Sequence, residues 1–149
     1  MKNIYYTVKE TANLIRTSLD KRKIVYQVEH TDKAVTIWLD KKNNFGCEIN
    51  SLDITVFHLD GSLTFNLDEG REYDICSTAA AVDHIFLIVS NTLFQEEVYK
   101  NDKLCSVRQY VILNGEKFFC SSLWIKHIFY FFAFLKKEVK ITEYSYNSE

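Results

Sequence analysis

Two dipeptides, Asp60-Gly61 and Asn114-Gly115, constrain this chain more than any other feature. Asp, Asn and Gly tolerate the positive φ angles that two-residue hairpin loops require. Each dipeptide stands between runs that suit strands: "ITVFHL" and "SLTFNL" around the first, "SVRQYVIL" and "EKFFC" around the second. In a strand, successive side chains point to opposite faces, so an alternating run can lay one face on a core. Both places read as antiparallel hairpins, and the fold must be built around antiparallel sheet.

The rest of the chain fits that frame. "KIVYQVEH" and "KAVTIWLD" lie around the turn-prone "TDK". Ile24, Tyr26 and Val28 share a face of the first run. Val35, Ile37 and Leu39 do so in the second, with Thr36 and Trp38 opposite. "KKNNFG" reads as a polar loop and "CEIN" as a short strand, so this half is a meander. Before it, "TVKETANLIRTSL" opens with Thr7 and Glu10 in a capping box, each side chain satisfying the other's backbone N–H. Val8, Ala12, Ile15 and Leu19 then form an apolar helical face, with Lys9, Asn13, Arg16 and Asp20 toward water. A second helix is expected from Ser77, as N-cap, to Phe94. Its narrow polar strip is Asp83, Ser90, His84 and Asn91. The tail, from Glu138 on, adds a strand with Val139 and Ile141 on one face.

The segment "SSLWIKHIFYFFAFLKK", Ser121 to Lys137, is the most apolar stretch. A membrane-spanning helix needs about 20 consecutive apolar residues, and Lys126 and His127 interrupt this run. It is read as a mostly buried helix, with a strand and an interfacial membrane helix as rivals. The expected class is therefore α+β: an antiparallel sheet packed with about three helices, in a single domain spanning 1–149.

Composition narrows the function. Of the 149 residues, 47% are hydrophobic and 15% aromatic, enough for a packed core without disulfide or metal. A formal net charge of −2 argues against a general phosphate-backbone binder. Cys47, Cys76, Cys105 and Cys120 form no metal-ligand spacing and read as reduced thiols. The start "MKNIYYTVKE" has no apolar signal region, so a cytoplasmic, reducing location and no membrane association are expected. With four glycines there is no phosphate-cradling loop, and no zinc-protease, nucleophile-elbow or calcium signature appears. No enzyme and no cofactor is expected.

Binding is easier to argue. Arg108 shares a strand face with Tyr110 and Ile112, and a cation beside an aromatic ring can grip a phosphate or carboxylate and stack a base. Trp38 offers a second platform. His84 and Asn91, two helical turns apart, could line a pocket beside that sheet. These five residues form the candidate ligand-binding set.

"YTVKETANLIRTSLDKRKIVYQVEHTDKAVTIWLD" resembles the opening of small phage-borne domains of the large-polyvalent-protein-associated type. The matching residues are Lys9, Glu10, Leu14, Ile15, Arg16 and Leu19, then the strands ending at Leu39. The resemblance covers about a quarter of the chain and implies a phage or mobile-element origin, with no activity attached. With the binding features it frames the expected role: a non-catalytic counter-defence inhibitor that sequesters a small anionic, nucleotide-like ligand or blocks a host protein. The alternative is a toxin-neutralising immunity protein that covers a cognate effector with the acidic run "LDEGREYD". A homodimer, through an edge strand or the aromatic segment, fits either role.

Overall fold

The computed structural model describes residues 8–66, 74–124 and 136–146. The chain divides into two compact units, one of Met1–Leu87 with Asn147–Glu149 and one of Ile88–Tyr146.

The first unit opens with α1 (Val8–Lys21), whose Thr11, Ala12, Ile15 and Leu19 are buried. Lys23 ends it in the left-handed region at φ 57°. Ile24 N–H then donates to Leu19 O and Lys23 N–H to Asp20 O, which satisfies two last-turn carbonyls and buries Ile24 beside the helix end. A five-stranded antiparallel meander follows, in chain order: β1 (Gln27–His30), β2 (Val35–Asp40), β3 (Phe45–Ile49), β4 (Asp53–His58) and β5 (Gly61–Asn66). Its inner face carries Ile37, Phe45, Cys47, Ile49, Ile54, Val56 and His58, all fully buried. Alternation along each strand leaves Trp38, Gly46 and Phe57 on the outer face, in one row across β2, β3 and β4. The helix α2 (Asp74–Ser90) closes this unit and reaches into the next.

The second unit is a four-stranded antiparallel sheet of order β8-β7-β6-β9, with β6 (Thr92–Lys100), β7 (Lys103–Leu113), β8 (Glu116–Trp124) and β9 (Lys137–Ser145). Three hairpin-linked strands and a fourth returning beside the first make a Greek-key order. Asn101 and Asp102 both have positive φ, as do Asn114 and Gly115. Both loops therefore match the right-handed twist of the strands they join.

Several expectations are corrected. Among the described residues there are two α-helices, not three, and the strands form two sheets rather than one. Ser121–Trp124, read as helix, extends β8, pairing with β7 through Ser106↔Trp124. Lys137 belongs to β9, and residues 125–135 lie outside the described residues, as do Thr7 and the acidic run except Asp74. Aromatic and β-branched residues suit a pleated surface as well as a helix, and β7 was available as a partner. The second helix starts at Asp74 and stops at Ser90, so Ser77 is no N-cap; its hydroxyl donates to Asn66 O at 3.0 Å. Thr92 to Phe94, read as helix, begin β6.

The first hairpin turns on Leu59 and Asp60 rather than on Asp60-Gly61, with Gly61 already paired to His58. The cause is tertiary. Leu59 N–H donates to Asn43 O at 3.1 Å and Asn44 Nδ2 donates to Leu59 O at 2.8 Å. Those bonds hold Leu59 at φ 52°.

Candidate functional site

A cleft of about 300 Å³ opens between α1 and the β1–β2 hairpin. The i, i+4, i+7 spacing of Lys9, Asn13 and Arg16 brings them to one side of the helix, and His30 contributes from the end of β1. Ala12, Val28 and Val35 make the apolar part of its lining. The loop between the strands closes on Thr31, whose Oγ1 accepts from Ala34 N–H at 3.1 Å while its N–H donates to Ala34 O at 2.9 Å. That closure fixes His30 opposite Val35. Arg16 Nε donates to Tyr26 Oη at 3.4 Å, and its guanidinium lies 5.8 Å from the Tyr26 ring centroid. The Tyr26 hydroxyl raises the Arg16 pKa, with Asp20 adding a smaller effect. Among the described residues no carboxylate lines the cleft. The arrangement is a set of hydrogen-bond donors, two of them cations, beside an apolar floor.

The five residues expected to bind ligand are placed differently. Trp38 lies on the outer face of the first sheet, its ring 5.1 Å from that of Phe57 and at 63° to it. Lys41 Nζ stands 5.5 Å from the Trp38 ring centroid and pairs with Glu29 at 2.6 Å. Lys41, and secondarily the Trp38 indole, hold the Glu29 carboxyl below its usual range. His84 is buried in the same unit, against the opposite face of that sheet. Trp38 and His84 therefore do not form one site.

Arg108, Tyr110 and Asn91 fall in the second unit. Arg108 and Tyr110 do share a face, as alternation requires. Arg108 Nη2 donates to Glu96 Oε1 at 2.8 Å, on the residue directly opposite in β6, so its charge is already balanced. Its guanidinium also lies 5.2 Å from the Phe119 ring centroid. Tyr110 is buried, stacked on Phe94 at 5.3 Å and edge-on to Phe119 at 5.7 Å. Lys117 Nζ lies 4.6 Å from the Tyr110 ring centroid. Asn91 is half-buried just before β6. A ring packed on both sides cannot also stack a base without displacing a neighbour.

His84 meets a partner in β4, His58, that spacing along the chain does not reveal. Its Nε2 is 3.0 Å from His58 Nε2, with His58 fully buried and His84 6% exposed. Two imidazole nitrogens at that distance share one proton, so the neutral rings adopt opposite tautomers. Burial, and then the proximity of His58, push the His84 pKa down to about 4. Among the described residues no group of three or more His, Cys, Asp or Glu is placed to hold a metal ion. Burial also raises the Cys47 thiol to about 12 and the Cys120 thiol to about 11, which disfavours the nucleophilic thiolate of either.

Sequence reasoning missed Lys9, Asn13, Arg16 and His30 as a set. The first three belong by spacing to the water-facing strip of α1, and no periodicity within one helix reveals which strand lies beside it. No helix among the described residues is long and apolar enough to cross a membrane. Comparisons with protein-family models, curated proteins and solved structures find no match to this chain.

Proposed function

We propose that the chain is a non-catalytic binding protein whose α1–β1–β2 cleft takes a small ligand with a phosphate or carboxylate at one end and an apolar or aromatic body. One observation carries this reading. Lys9, Asn13, Arg16 and His30 converge beside Ala12, Val28 and Val35 with no described carboxylate among them. Charge-assisted hydrogen bonds from Arg and Lys are the strong, orienting contacts for such anions, and the floor would take up the ligand's apolar part. The volume stands at the lower end of small-molecule sites, roughly 300–1,000 Å³, which favours a mononucleotide or a smaller metabolite over a dinucleotide. Sequestration of such a ligand, as a counter-defence protein of a phage or mobile element in the cytoplasm, agrees with the pattern of the N-terminal quarter, which contains Lys9 and Arg16.

Titration calorimetry with a panel of linear and cyclic mononucleotides tests it. At least one ligand is expected to bind, more weakly as ionic strength rises. Arg16→Ala is expected to weaken that ligand about tenfold, the loss of one charge-assisted contact. Arg108→Ala, whose cation already serves Glu96, is expected to leave the affinity unchanged. Absence of binding by the whole panel, or equal affinity in wild type and Arg16→Ala, would refute the assignment.

A further inference from the structure

Among the described residues, the last strand of the second sheet has one occupied edge and one open edge. β9 pairs with β6 without interruption from Thr92↔Ser145 to Lys100↔Lys137, and no described strand adjoins its other side. All its residues except Tyr144 are exposed, including Val139 at 50% and Ile141 at 53%. Open edges are templates for strand addition, and proteins usually blunt them with bulges, prolines, short length or charged side chains. β9 lacks the first three, since its register carries no shift and the chain contains no proline, and its charges, Lys137, Glu138, Lys140 and Glu143, are of mixed sign. Of the other three edges, β1 and β5 are shorter, at four and six residues, and β8 carries a register shift opposite Gln109/Tyr110.

We infer that β9 pairs antiparallel with β9 of a second copy of this chain, about a twofold axis at Lys140, joining two four-stranded sheets into one. The sequence "KEVKITEYS" selects that partner and that register. In a twofold antiparallel pair, hydrogen-bonding residues must meet their own kind, so only registers centred on a residue are allowed. Centring on Lys140 sets Lys137 opposite the partner's Glu143 and Val139 opposite the partner's Ile141, and both pairs recur by symmetry. On the other face Lys140 meets its own copy, with the partner's Glu138 as a diagonal neighbour within reach of a long side chain. Centring on Val139 would instead set Ile141 against Lys137, and centring on Ile141 would set Val139 against Glu143. Only the Lys140 register matches charge with charge and apolar with apolar along the whole row.

A single strand pair covers less than the ~1,200–2,000 Å² of a standard interface, so the dimer is expected to be concentration-dependent. Sedimentation of the full chain at micromolar to submillimolar concentrations tests it. Wild type is expected to show a monomer–dimer equilibrium. Lys137→Glu alone and Glu143→Lys alone each put like charges opposite one another twice. Each is expected to raise the dissociation constant about tenfold. An equimolar mixture of the two variants restores both opposite-charge pairs in the heterodimer and is expected to recover wild-type affinity. Both positions are exposed, and unchanged circular dichroism of each variant separates pairing from folding. A wild type that stays monomeric throughout overturns the inference. So does a dimer indifferent to the reversals, or a mixture no tighter than its components.

Discussion

Gly46→Ala is expected to cost about 3 kcal/mol of stability, a large loss for one methyl group added to an overfull site. A Cβ at Gly46 would stand 2.4 Å from the backbone oxygen of Ile37 and 3.2 Å from both Phe57 Cε2 and Trp38 Cα. The carbonyl belongs to the neighbouring strand and cannot rotate away as a side chain could. Relief requires β2 and β3 to part at the point where Trp38 faces Gly46. The same substitution would push apart the Trp38 and Phe57 rings, which meet over the glycine. Gly115→Ala is the matched control. Nothing lies within 4 Å of its Cβ position, so its cost is confined to the positive φ, about 1 kcal/mol. Urea midpoints of the two variants decide the matter. Similar values for both would mean that the outer row of β2, β3 and β4 is not packed as described.

The second large effect is a loss of stability on mild acidification. In the unfolded chain His84 takes up a proton near its ordinary value of 6.5, whereas in the folded chain it does so only near 4. A depressed histidine favours folding while both states are neutral. That contribution is complete above about pH 6.5 and falls away as pH drops from there toward about 4, because the unfolded state binds the proton first. Between about pH 7 and about pH 5 the loss should approach 2 kcal/mol, in a range where most carboxylates remain ionised. Urea midpoints measured across that interval check it. A flat profile would show that the His58–His84 contact does not stay neutral and closed to solvent.

How much of this was legible beforehand depends on the range of the forces involved. The Asn114-Gly115 turn formed where it was expected because its two φ angles are local properties of those residues. The inner faces of β2 and α1 were equally readable, since Ile37 beside Val35 and Ile15 beside Leu19 need only a period. What escaped was set by contacts distant in sequence. Leu59 occupies a left-handed conformation because Asn43 and Asn44 hold it, so the neighbouring Asp-Gly signal was overruled. Ser77 looked like a helix cap but serves Asn66. Arg108 looked available for a ligand until Glu96 was placed across from it. His58 shares the parity of Ile54 and Val56 in β4, and that parity could have marked it as buried, though not as the partner of His84. The candidate cleft was the least readable feature, because its donors come from separate elements joined only in three dimensions.

The closing pair of the second sheet carries a consequence for how the protein is made. Thr92 Oγ1 and Ser145 Oγ lie 3.0 Å apart, yet 53 positions separate them along the chain. Hairpins close far faster than contacts of that span. During synthesis β6, β7 and β8 can therefore assemble while β9 is still inside the ribosome, leaving the outer flank of β6 bare. The nascent sheet then passes through a half-finished state whose lifetime is set by the delivery of β9, and chaperones have that interval in which to act.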